Sequence, residues 1–181
     1  MIFFILTILL LFSCNESELK SKESIHSFID NEIQGDVRIE IFNKEKPSIF
    51  IKSDFLHQYN GGGTLLGKDS AYTLLFGGVY ADLYNRQGMK ASEMYSDSAI
   101  IFANTDSVKA LGNVEIHSVK GYELKTDKLI LFNDSKLVKS DSYVSFTSND
   151  EDWLSGKGFW SNFDMTNFQI LKPKGMLGGS K

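Results

Sequence analysis

The chain holds a single thiol, Cys14, placed directly behind the run Met1 to Ser13, MIFFILTILLLFS. That run is apolar almost throughout and carries no charged side chain. A thiol at such a junction suits one chemistry, accepting diacylglycerol through a thioether; the alternative is a short uncleaved anchor followed by an incidental cysteine. Leu11, Ser13 and Cys14 have the spacing of a bacterial lipoprotein processing site, with a small residue just before the cysteine. The run is too short to cross about 30 Å of hydrocarbon, which takes roughly 20 residues. It has the length of a signal-peptide core. Residues 1–13 are therefore expected to be a lipoprotein signal peptide, with Cys14 as the lipidated residue. One acyl chain holds a protein only reversibly, whereas two or three hold it firmly.

Other reactive side chains do not assemble into a catalytic pattern. His26, His57 and His117 lie far apart in sequence and belong to no triad or HExxH arrangement. Gly61-Gly62-Gly63-Thr64 lacks the Lys-Ser/Thr of a phosphate-binding loop. Asp54, Glu93 and Asp127 recur at one position of an internal repeat, which reads as solvated strand or turn residues rather than an acid/base pair. One cysteine makes no internal disulfide, and there is no Cys/His metal pattern. No enzyme, cofactor or metal is expected. A net charge of −4 and a pI of about 5.4 give nucleic acid no electrostatic footing.

The elements that follow are strands. After the polar stretch NESELKSKES, period-two alternation begins near Asp36. Val37, Ile39 and Ile41 alternate with Arg38 and Glu40. Ile49, Ile51 and Ser53 alternate with Phe50, Lys52 and Asp54. Val79, Ala81 and Leu83, then Val114 and Ile116, then Val144 and Phe146 repeat the pattern. Turn residues separate the runs at Asn60–Gly63, Asn85–Gly88, Val119–Gly121, Asn133–Ser135 and Ser148–Asp150. Many short strands at this spacing predict a sandwich or barrel. No helix is expected after Gly35, and a short helix is one option around Ile25–Ile33.

A degenerate repeat runs through the strands. Phe50 to Phe55, Met89 to Met94 and Leu124 to Leu129 each read apolar, Lys, small, small or acidic, then apolar again. Leu154 to Phe159 is a fainter copy. A unit of thirty-odd residues holding a strand pair describes stacked β-layers.

The order of these pieces resembles the LptC family of lipopolysaccharide export proteins, within the wider LptA/OstA-like β-jelly-roll group. The resemblance runs from Asp36 to Lys172 and is strongest from Gly88 to Phe146. It rests on Leu111-Gly112-Asn113-Val114, Gly121 and Leu124-Lys125-Thr126-Asp127-Lys128-Leu129, with Ile49 to Asp54 before them and Leu154 to Trp160 after. The resemblance implies an all-β open jelly roll over 36–172; the Cys14 reading puts a lipidated tether over 14–35 before it, and the unpatterned end reads as a flexible tail over 173–181. The resemblance also implies a periplasmic protein at the inner membrane of a Gram-negative bacterium, without cofactors, and the lipid anchor read at Cys14 stands where familiar members of the family use a transmembrane helix. Its partners would be lipopolysaccharide, held by the acyl chains of lipid A, an inner-membrane ABC transporter, and an LptA-like jelly roll. The expected lipid groove is lined by Ile39, Ile41, Ile51, Phe55, Val79, Leu83, Val114, Ile116, Leu129, Leu131, Val144, Phe146 and Trp160. The expected partner edges are Val37 to Phe42 for the transporter and Phe168 to Leu171 for the next jelly roll. A second class stays open: an envelope lipoprotein whose β-domain docks proteins and carries no lipid.

Overall fold

The structure, a computed structural model, describes residues 31–60, 71–148 and 152–176. Cys14, the signal run, most of the tether and the Gly61–Gly63 turn lie outside the described residues. Eight long strands follow one another as an antiparallel meander: β1 (Asn31–Asn43), β2 (Lys46–Tyr59), β3 (Tyr72–Tyr84), β4 (Lys90–Phe102), β5 (Ser107–Ser118), β6 (Glu123–Phe132), β7 (Leu137–Thr147) and β8 (Trp153–Asn162). Two short strands, β9 (Phe168–Ile170) and β10 (Lys174–Met176), both pair with β8. The described residues hold one short 3-10 turn, Ala103–Thr105, between β4 and β5. The all-β expectation holds. Two boundaries move: Asn31–Gly35 belongs to β1 rather than the tether, and Lys174–Met176 is a strand rather than the start of a loose tail.

Each long strand breaks its register near its middle. The breaks fall between Gln34 and Val37, Ser53 and Phe55, Phe76 and Val79, Tyr95 and Ser98, Leu111 and Val114, Thr126 and Ile130, and Ser140 and Tyr143. A bulge bends its strand and sharpens the local twist. Bulges in one row across neighbouring strands fold the whole sheet along a line.

The residues in that row explain the sequence repeat. Ser53-Asp54, Ser96-Asp97, Thr126-Asp127 and Ser140-Asp141 supply a buried hydroxyl followed by an exposed carboxylate. The hydroxyls of Ser53 and Ser96 donate to the carbonyls of Phe55 and Ser98 at 3.1 Å, and that of Ser140 accepts from the Ser142 amide at 3.1 Å. Buried polar backbone at a broken ladder needs such partners. In β4 the bend is at Ser96-Asp97, so Glu93 does not share the position of Asp54 and Asp127. The repeat read from sequence was four residues out of step there, because Met89 to Met94 mimics the apolar spacing.

Folding brings the two strand halves face to face. Phe146 pairs in the sheet with Leu154, five residues from Phe159 on the same strand. In a flat sheet five residues span roughly 17 Å. The rings of Phe146 and Phe159 are instead 5.9 Å apart, and Phe146 meets Phe168 at 4.2 Å. One core runs between the halves, from Val37 and Ile51 to Leu131, Val144 and Phe163.

Candidate functional site

The inner face is the candidate site, and its chemistry is apolar. Ile51, Leu83, Ile116, Leu129, Leu131 and Val144 are fully buried, and Val79, Val114 and Phe146 are at most 3% exposed. These expected lining residues all project between the two halves, so the space there is filled by the protein's own side chains. Burying such side chains is worth about 1.5–3 kcal/mol each.

Two expected lining residues face the other way. The bulge at Asp54 changes the parity of β2, so Leu56 turns inward and Phe55 outward. Phe55 stacks on Phe76 at 5.0 Å, over Gly77, where a Cβ would lie 2.7 Å from the Phe55 ring. Trp160 sits between buried Phe159 and Ser161, so it too faces outward, and its indole N–H donates to Gln169 at 2.7 Å. Period two carries side-chain direction along a strand only until a bulge resets it.

Burial falls off toward the first strand. Val37 is buried, Ile39 and Ile41 are half-buried against the core, and Ile33 is 51% exposed. Among the described residues β1 pairs only with β2, so its other side is an open sheet edge. The opposite end is different. Phe168, expected on a free edge, packs its ring against Phe146, Phe159 and Tyr122, while Leu171 lies exposed just beyond β9. The roll is therefore plugged beside β8 and loose beside β1.

Turns clasp the long rim opposite the fold line. Asn43 donates to the Asn133 carbonyl at 3.1 Å, Asn85 to the Asp164 carboxylate at 3.3 Å, and Ser118 to the Asp164 carbonyl at 2.8 Å. Lys136 is buried at this rim and donates to the Ser48 hydroxyl, which in turn donates to the Asn133 side chain. Burial holds the Lys136 ammonium below its ordinary pKa, opposed by Asp106 and Asp134.

The outer face carries the charges. Lys90 contacts Asp82 at 2.7 Å and the Glu93 carboxylate at 2.5 Å, and Lys125 contacts Glu115 at 3.0 Å. Their hydrogen bonds to Lys90 and Lys125 pull the Glu93 and Glu115 carboxyls below the usual range. Burial, helped by a hydrogen bond to Asp82, pushes Tyr80 up to about 12. His57 lies 3.3 Å from Glu32, and His117 lies 3.4 and 3.5 Å from Glu115 and Glu123. His26 is outside the described residues. Among those described, no three His, Cys, Asp or Glu side chains converge as a metal site, and no helix is long and apolar enough to cross a membrane.

The family motif has a mechanical role. Gly112 and Asn113 both take left-handed backbone, with φ of 75° and 44°, at the β5 bend. The Asp97 carboxylate lies over Gly112 and accepts from the Asn113 side chain at 2.9 Å. Thr126 donates to the Tyr143 carbonyl at 2.9 Å, tying β6 to β7 beside the exposed Asp127.

A sheet folded along a bulge row, with an apolar interior, one plugged edge and one free edge, defines an open β-roll. The family model for "Lipopolysaccharide-assembly, LptC-related" matches residues 1–173, and the chain belongs to the LptC family. No curated protein matches the chain. Membership of that family carries a role in lipopolysaccharide transport and a periplasmic location associated with the inner membrane.

Proposed function

We propose that the roll is a non-enzymatic lipid carrier that takes lipopolysaccharide from an inner-membrane ABC transporter and passes it to an LptA-like jelly roll. The gradient of burial toward β1 carries this reading. The inner face is continuous, and along β1 it reaches solvent at Ile39, Ile41 and most of all Ile33. An acyl chain would enter there and replace the contacts that inner-face side chains make with one another. Hydrocarbon gains about 0.8 kcal/mol per methylene moved out of water, a favourable contribution set against parting the halves.

The free β1 edge, spanning Val37 and Phe42, offers unpaired backbone for strand addition by the transporter's periplasmic part. The β9–β10 side, with Phe168 and Leu171, would meet the next roll. Cys14, outside the described residues, would carry the acyl anchor that holds the roll beside the transporter.

Photoreactive groups at Ile41, Leu83 and Val144 are expected to capture lipopolysaccharide in cells. Groups at Lys52 and Lys90, on the outer face, are expected to capture none. Equal labelling of both sets would sink the carrier reading. Absence of labelling everywhere would favour a lipoprotein that only docks other proteins.

A further inference from the structure

The first hairpin turn ends in a cleft that the apolar interior does not explain. It has a volume of about 560 Å³. Lys44, Lys46, Arg86 and Lys136 converge on it, against one lining carboxylate, Asp134. Four cations and one anion leave a formal +3 on the lining of a chain whose net charge is −4. An adjoining hollow of about 340 Å³ shares Arg86 and Lys136. Together they fall in the range of pockets that hold small molecules or headgroups.

We propose that this cleft seats the phosphate of a phosphorylated lipid headgroup while the hydrocarbon lies against Ile39 and Ile41. The proposal rests on the lipid-carrier reading and adds the polar half of the ligand to it.

Three features support a built anion site rather than scattered surface charge. First, Lys136 is 6% exposed and held at the cleft by Ser48, with its ammonium 5.8 Å from the Phe163 ring centroid. An ammonium has three donors, and Ser48 takes one. Burying a lysine is costly without partners of opposite charge. Asp134 and Asp106 supply part of that charge, but Asp106 already accepts from Asn133 with both oxygens at 3.0 Å.

Second, the turn that presents Lys44 and Lys46 is made without glycine. Lys44 and Glu45 take φ of 47° and 66°, and Lys136 takes 56°. Such hairpin turns favour Asn-Gly, and left-handed backbone is strained for a lysine or glutamate. Strain of this kind concentrates at ligand sites.

Third, the cleft lies where it is needed. It sits at the C-terminal end of β1, the strand whose inner residues are half-open, and on the rim where turns of the two halves meet. Phosphate would receive the Arg86 guanidinium and three ammonium groups, and charge-assisted bonds of this type are strong and short.

The test uses the full chain in detergent, with lipid A, its fully dephosphorylated form, and inorganic phosphate as probes. The variant carries Lys44→Gln, Lys46→Gln and Arg86→Gln, three exposed positions that leave Lys136 and the fold in place. Expected is at least a tenfold loss of lipid A affinity in the variant, reduced in high salt, with dephosphorylated lipid A bound equally by both proteins. Inorganic phosphate should compete with lipid A only weakly, at millimolar concentration. Equal loss for both lipids, or no loss for either, overturns the cleft and leaves the carrier reading standing. Failure of the unmodified protein to bind either lipid overturns the carrier reading and the cleft with it. Inorganic phosphate binding as tightly as lipid A would make the ligand a free anion and overturn the headgroup assignment.

Discussion

Gly112 shows how one residue fixes the path of a strand. Its φ of 75° suits glycine, and an added Cβ would stand 2.3 Å from the Asp97 carboxylate. Gly112→Ala therefore meets two penalties, the left-handed backbone and the crowded carboxylate. The backbone alone costs about 1–2 kcal/mol. Gly78, with φ of 90° and open space around it, isolates that first cost. In urea titrations, Gly112→Ala is expected to lower stability by about 2 kcal/mol or more, beyond Gly78→Ala. Asp97→Ala in the same chain should recover part of the difference, which a double-mutant cycle measures. Equal losses at both glycines would mean that the carboxylate yields freely. The sequence displays Leu-Gly-Asn-Val plainly as a family motif, but its partner Asp97 is fifteen residues away, and its mark, the Ser96-Asp97 pair, is masked by the competing spacing of Met89 to Met94. That is why the bend is readable from one strand and missed on its neighbour, where Glu93 stood in for Asp97.

At the scale of elements, alternation makes the strands legible and bulges make their continuation illegible. Ile49, Ile51 and Ser53 point inward as their spacing requires, and then Asp54 resets the parity and sends Phe55 out. Residues beyond a bend, such as Trp160, inherit a direction that no count of two from the strand start supplies. The far edge was legible only in part, because β9 and β10 are three residues each and too short for periodicity. They are held on β8 by missing side chains. A Cβ at Gly156 would lie 2.5 Å from Ile170 and 2.8 Å from the Leu171 carbonyl, and at Gly158 it would lie 3.0 Å from Leu171. Gly156→Ala should therefore lift β9 and β10 while β1 to β7 stay paired. Hydrogen exchange is expected to speed up in Phe168–Met176 and remain unchanged in β3 to β6. Uniform acceleration across the sheet would show that the edge pair and the core unfold as one unit.

For the whole molecule, the packed interior poses a mechanical problem. A carrier with its inner face filled must part its halves to accept a chain, and a bulge row can act as the hinge for that movement. The rim opposite the hinge is closed by polar contacts, Asn43 with Asn133 and Asn85 with Asp164 among them, over the buried side chains of Phe163 and Met165. Net contributions of about 0.5–1.5 kcal/mol per hydrogen bond let such a clasp release without unfolding either half. A covalent clasp removes that freedom. Asn85→Cys and Asp164→Cys face each other across the rim, and a short bis-maleimide can bridge them. Cys14 is the sole native thiol, so each single variant reveals any reaction there. On the proposed carrier reading, the bridged roll is expected to melt higher than the unbridged one and to lose most of its lipid uptake. Unaltered uptake in the bridged protein would mean that chains slip in past Ile39 and Ile41 at the β1 edge with the rim still closed. The halves would then part at the mouth alone, and the hinge would have no part in loading.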